Sequence, residues 1–192
     1  MLIVLNGYPG TGKLSIGREL AEALGARLLD NHTVWNLAFA LTERKTPVFY
    51  ESIKAVRRLA DDLICQLPDD VPIVMTEALT VGSAFCEEYW AGLEKLSMSR
   101  GPLLVVHMHC NLEENKRRMQ SPERDLKRKP RDGDYAEQNH RRARALLGED
   151  AEHFMELDVS DLAAAEAAQM IANWVDHFRA EHPEATASQS SN

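Results

Sequence analysis

The chain has 192 residues, 44% of them apolar, and a formal charge of −8, which is the size of one domain with a well-filled core. An acidic chain is not built to hold nucleic acid by bulk charge, and no run nears the ~18 apolar residues that a membrane-spanning helix needs. Cys65, Cys86 and Cys110 are odd in number and form no CxxC pair, which fits a reduced, cytoplasmic protein rather than a disulfide framework.

In chain order, the first element is the apolar run Leu2–Leu5, a short strand that lacks the basic leader of a signal peptide. Directly behind it stands Gly7-Tyr8-Pro9-Gly10-Thr11-Gly12-Lys13-Leu14-Ser15. Strand, glycine-rich turn and helix start are the context a phosphate-binding loop requires. The glycines let the backbone wrap closely around a phosphate, and the helix over 13–24 aims its positive end at the same anion. Lys13 adds a full charge within reach of the terminal phosphates. The loop therefore predicts a bound nucleoside triphosphate, held by Gly7, Pro9, Gly10, Thr11, Gly12, Lys13, Leu14 and Ser15. Leu14 follows the lysine where a hydroxyl is usual, and Ser15 supplies that hydroxyl one step later. This is the spacing of the adenylate-kinase type of loop, which makes Ser15 the expected Mg²⁺ ligand.

Further strands are predicted at 27–30, 71–77, 103–109 and 153–157, and helices at 33–43, 49–66, 82–98, 111–119, 134–147 and 162–181. Alternation of the two predicts an α/β fold of three layers, a five-stranded parallel sheet covered by helices. The runs Val71–Met75 and Leu103–Val106 are continuously apolar, as buried parallel strands are. One domain is expected over 1–182, followed by a disordered tail at 183–192 rich in Ala, Ser, Thr and Gln. Within it, 33–66 is a helical insertion. The stretch 120–134, with Pro122 and Pro130, reads as a charged lid that closes over phosphates. Eleven of the 22 basic residues fall between Lys116 and Arg144, so an acidic protein carries one basic segment suited to a small polyanion.

The GxPGxGKxS loop, the helical insertion after strand two and the arginine-rich lid after strand four together resemble the P-loop small-molecule kinases. These include the adenylate and cytidylate kinases and the shikimate and gluconate kinases. The resemblance covers most of residues 1–180 and implies transfer of the γ-phosphate of Mg·ATP to a small-molecule acceptor. The acceptor is expected to be a metabolite hydroxyl, with a nucleoside monophosphate as the alternative. The 33–66 insertion lacks the Thr-Gly-Asp-x-x-Arg stretch of adenylate kinases. A regulatory ATPase without a small acceptor is the rival from another class.

Phosphoryl transfer depends on positioning and neutralisation of charge, so cations and a metal must converge on the γ-phosphate. Asp30-Asn31-His32 ends strand two and resembles the Asp-x-Asp of shikimate and gluconate kinases, with His32 in the second place. Asp30 is then expected near Mg²⁺ or as base, and His32 at the acceptor; the alternative is that Asp30 and Asn31 only cap a helix. Arg57 borders the apolar face Phe49, Ile53, Val56, Ala60, Leu63 and Ile64, where it either clamps an acceptor anion or lies along the core edge. Arg44 and Lys45 are weaker candidates of the same kind. Glu77, ending strand three, reads as a water-mediated Mg²⁺ ligand, an acceptor contact or a solvated residue. From the basic segment, Arg118 and Arg124 are expected to stabilise the transferred group, with Arg117 and Lys129 next. Ser160 or Asp161 is expected to cap the last helix. His107, His109 and Cys110 have no fourth ligand at a characteristic spacing and are read as flanking the core. Trp35, Phe39 and Tyr50 lie where an acceptor ring would stack.

Overall fold

The computed structural model describes residues 1–120, 133–141 and 143–183; most of the expected lid, with Arg124 and Lys129, and the tail beyond Pro183 lie outside them. Five strands, β1 (Leu2–Gly7), β2 (Arg27–Asp30), β3 (Ile73–Glu77), β4 (Leu103–His109) and β5 (His153–Asp158), form one sheet in the order β2-β3-β1-β4-β5. All four pairings are parallel. The described helices are α1 (Lys13–Leu24), α2 (Asn31–Leu41), α3 (Pro47–Cys65), α4 (Ala84–Arg100), α5 (Leu112–Met119), α6 (Gly133–Arg141) and α7 (Ala164–Glu181).

Strand periodicity sorts the side chains into two cores. Ile3 and Leu5 of β1 join Val74, Leu104 and Val106 beneath α1 and α7. Leu2 and Val4 join Ile73, Met75 and Val105 with α2, α3 and α4 on the opposite face. Successive side chains of a strand point to opposite faces, so Thr76 belongs with Val74 and Glu77 with Met75. That alternation later decides which of the two reaches the cleft.

Several boundaries depart from the periodicity. The helix expected over 134–147 ends at Arg141, and residues 145–147 run alongside 79–81 instead. Thr80 and Leu146 form an antiparallel bridge, Val81 N donates to Ala145 O (2.9 Å) and Leu147 N to Leu79 O (3.1 Å). Buried Asn6 secures both segments, donating from Nδ2 to Leu79 O and Leu147 O, each at 3.0 Å. Leu63, expected on the apolar face of α3, is 54% exposed. The face actually buried is Phe49, Ile53, Arg57 and Ile64. Neither Ser160 nor Asp161 caps the last helix, whose N-cap is Ala163. Ser160 turns back instead onto Asp158 Oδ1 and takes the amide of Asn111 on its Oγ at 2.8 Å.

Candidate active site

The strands β1, β2 and β3 end at a cleft of about 740 Å³, at the carboxyl edge where open α/β sheets bind ligands. One half of it is backbone. Gly10 and Gly12 take φ of 95° and 89°, a region costly for any residue with a Cβ. A Cβ on Gly10 would also stand 2.6 Å from Asn115 Nδ2. The loop curls so that Lys13 Nζ donates to the carbonyls of Gly7 (2.5 Å) and Tyr8 (2.9 Å). Helix α1 has Gly12 as its N-cap, with no side-chain cap and no acid in its first turn. Its first N–H groups and positive end therefore face the cleft, which is an anion site by construction.

Two side chains that the motif does not announce brace this loop. Asn115 of α5 is 2% exposed and donates to Pro9 O at 3.0 Å. Arg118, one turn on, gives Nη1 to Thr11 O (3.1 Å), Nη2 to Val159 O (2.6 Å) and Nε to Glu114 Oε1 (2.5 Å). The guanidinium thus ties the phosphate loop to the turn after β5. Arg117 is exposed and pairs with Glu114 through two 2.6 Å contacts. The hydrogen bonds of Arg117, with those of Arg118, hold the Glu114 carboxyl down to about 2.

The other half of the cleft is side chain. Asp30 ends β2 and stands at the N-cap of α2, yet makes no cap bond. Its Oδ1 accepts instead from Thr76 Oγ1 at 2.6 Å, and the same oxygen of Thr76 accepts from Asn31 N at 3.2 Å. Thr76 is therefore the residue that orients Asp30. The sequence carried one signal for it, a hydroxyl on the opposite strand face from Glu77. His32, Trp35, Phe39 and Arg44 continue the wall.

Gly7, Pro9, Gly10, Gly12, Lys13, Leu14, Ser15, Asp30, His32, Arg117 and Arg118 all line this single cleft. Thr11 is 2% exposed beneath the loop, its Oγ1 donating to Tyr8 O at 3.0 Å. Arg57 and Glu77 are not in the lining. They meet each other behind it, Arg57 Nη1 to Glu77 Oε1 at 3.3 Å, while Arg57 Nε donates to Asp61 Oδ1 at 2.6 Å. Tyr89 OH donates to the same Glu77 oxygen at 3.1 Å, and the Arg57 guanidinium lies 4.7 Å over the Tyr89 ring. The solvated reading of Glu77 is overturned, since it is 1% exposed. Strand alternation turns it under α3 and α4. Burial pushes its carboxyl up to about 7 against the opposing pull of Arg57 and Tyr89. Burial works against the charge on Arg57 as well, but Tyr89, Glu77 and Asp61 hold it above the usual guanidinium range.

With this geometry in hand, comparison with known proteins places the chain. A family model described as an AAA domain matches residues 3–141. The chain belongs to this AAA-domain family. No curated protein matches the sequence significantly. Solved structures similar to this AAA-domain chain include a sugar kinase from Janibacter, at 19% identity over 91% of this chain and 94% of that one, with a TM-score of 0.62. A gluconokinase from Sinorhizobium meliloti aligns at 14% identity over 97% of both chains, with a TM-score of 0.61. A shikimate kinase from Acinetobacter baumannii, determined with shikimate, aligns at 20% identity over 93% of this chain and 94% of that one, with a TM-score of 0.56. The AAA-domain chain thus has the fold of the P-loop small-molecule kinases, a five-stranded parallel α/β sheet as expected. No helix among the described residues is long and apolar enough to cross a membrane.

Proposed function

We propose that the protein transfers the γ-phosphoryl group of ATP to a hydroxyl of a small-molecule acceptor. One observation carries this reading: Lys13 with its anion-binding loop and Asp30 with its side-chain wall open into the same cleft. A nucleotide switch needs only the first half. A phosphotransferase needs a second compartment facing the same phosphate.

In this reading the loop amides and the α1 N-terminus hold the triphosphate, and Lys13 exchanges its carbonyl contacts for phosphate oxygens. Asp30, oriented by Thr76, accepts the proton of the acceptor hydroxyl, and His32 contacts the acceptor. Arg118 braces the nucleotide side, while Arg124 and its basic neighbours bring charge to the transferring group. Ser15 is exposed in the cleft and offers a hydroxyl, and Asp30 offers a carboxylate. Such hard oxygen donors suit Mg²⁺, which takes few protein ligands and completes its shell with phosphates and water. When bound, that ion supplies neutralisation of β- and γ-phosphate charge. Arg57 and Glu77 act from behind the wall, fixing α3 against β3.

A coupled ADP-release assay across hydroxylated metabolites and nucleoside monophosphates tests the proposal. Acceptor-stimulated turnover that vanishes in Lys13→Ala supports it. Nucleotide binding without stimulation by any acceptor favours the switch reading.

A further inference from the structure

We infer that the acceptor carries a flat ring, which lies on the aromatic face of α2. This rests on the phosphotransferase reading above and concerns only the acceptor half of the cleft.

His32, Trp35 and Phe39 are three and four residues apart, so they share one side of α2. All three line the cleft. Their rings form a continuous surface, His32 to Phe39 at 6.1 Å and Trp35 to Phe39 at 5.9 Å between centroids. Phe49 and Phe85 stand edge-on to Trp35 at 6.2 and 5.8 Å, fixing the indole from behind. A rigid aromatic wall of this kind rewards planar partners with offset or edge contacts and offers little to a flexible open-chain polyol.

Trp35 Nε1 is shielded from solvent, so what Trp35 offers a ligand in the cleft is apolar ring contact rather than a hydrogen bond.

Charge points the same way. Arg57, the cation expected to grip an acidic acceptor, is held by Asp61 and Glu77 and contributes no net positive charge to this half. Asp30 adds a negative one. Arg44 is exposed at the mouth, its guanidinium 4.7 Å over the Phe39 ring, where water screens its charge. Among the described residues, acceptor affinity therefore comes from ring contact rather than from carboxylate pairing. The bond that forms is from an acceptor hydroxyl oxygen to the γ-phosphorus, the one that breaks leads to ADP, and the hydroxyl proton goes to Asp30.

The test is calorimetric binding to the full-length protein saturated with Mg·ADP, which blocks the nucleotide half. Matched pairs differ only in the ring: adenosine against ribose, and phenyl against methyl β-glucoside, with gluconate as the open-chain acid. The ring-bearing member of at least one pair is expected to bind about tenfold tighter than its partner. Trp35→Leu, which removes the aromatic ring, should weaken that ligand severalfold without changing Mg·ADP affinity. Phe39→Leu serves as the second variant should Trp35→Leu unfold. Equal binding within both pairs, tighter binding of gluconate, or no binding by any of them beside bound Mg·ADP would overturn the inference. That last result leaves the nucleotide site intact, whereas failure of Mg·ADP itself to bind would strike the phosphotransferase reading instead.

Discussion

The two halves of the cleft are built from different material. The nucleotide half is backbone: glycines in left-handed geometry, carbonyls that hold Lys13, and the amide end of α1. Its chemistry follows from chain path alone, and a short motif specifies it. The half proposed for the acceptor is side chain, drawn from β2, α2, the α2–α3 turn and β3. Only His32, Trp35 and Phe39 share one helix, while Asp30, Arg44 and Thr76 arrive from separate elements, so no short motif spells the whole wall. A generic group such as triphosphate is held by generic structure, while a particular acceptor needs a wall whose members can change independently.

Breaking the nucleotide half should have the largest effect. Lys13→Ala is expected to lower kcat by roughly a thousandfold or more through lost phosphate neutralisation, with the far-UV spectrum unchanged. Turnover near wild type would remove the loop from the chemistry. On the acceptor side, Asp30→Asn should reduce kcat about a hundredfold and change Mg·ATP affinity far less. A change confined to ATP binding would assign Asp30 to the nucleotide half instead.

The Arg57 pair sharpens the boundary between site and scaffold. Arg57→Ala strands Glu77 and Asp61 without their cation, which should cost about 3–5 kcal/mol of folding stability, read from urea denaturation. A variant of unaltered stability with a raised acceptor KM would instead make Arg57 a clamp. Glu77 supplies a pH signature. Its folded pKa of about 7 lies above the ordinary 4.5, so the native state binds the extra proton. Its contribution is full below pH 4.5 and is lost as pH rises through 7, so stability falls over that window. Glu77→Gln should flatten that slope, and an unchanged slope would deny the burial effect.

The smallest effect belongs to the α2–α3 turn. Lys45 has φ of 65°, the one non-glycine residue at positive φ among those described. Lys45→Gly should relieve that backbone strain by about 0.5–1 kcal/mol, visible as a small rise in Tm with kcat retained. A fall in Tm would show that the side chain, not the backbone, matters there.

Much of this was legible beforehand, and the exceptions are instructive. Apolar runs located β1, β3 and β4, since a parallel strand buried on both faces leaves an unbroken apolar run. The edge strands β2 and β5 carry no such run and were placed by the alternation of strands and helices. Periodicity overran α6 because residues 142–147 are helix-compatible in composition, yet the bridge to Thr80 draws 145–147 into an extended path. That Asp30 and His32 stand at the cleft was legible from strand-end placement. Thr76 and Asn115 were not, because a residue that orients another is recognisable only once its partner stands beside it.

The sequence by itself determined the α/β architecture and the phosphate loop, both consequences of local pattern: apolar runs of strand length and glycines where the backbone must turn left-handed. Only the tertiary structure decided that Arg57 and Glu77 neutralise each other behind the wall and that Thr76 reaches Asp30. Strand pleat sends adjacent side chains to opposite faces, and which face opens on the cleft is fixed only when helices from distant parts of the chain cover the other.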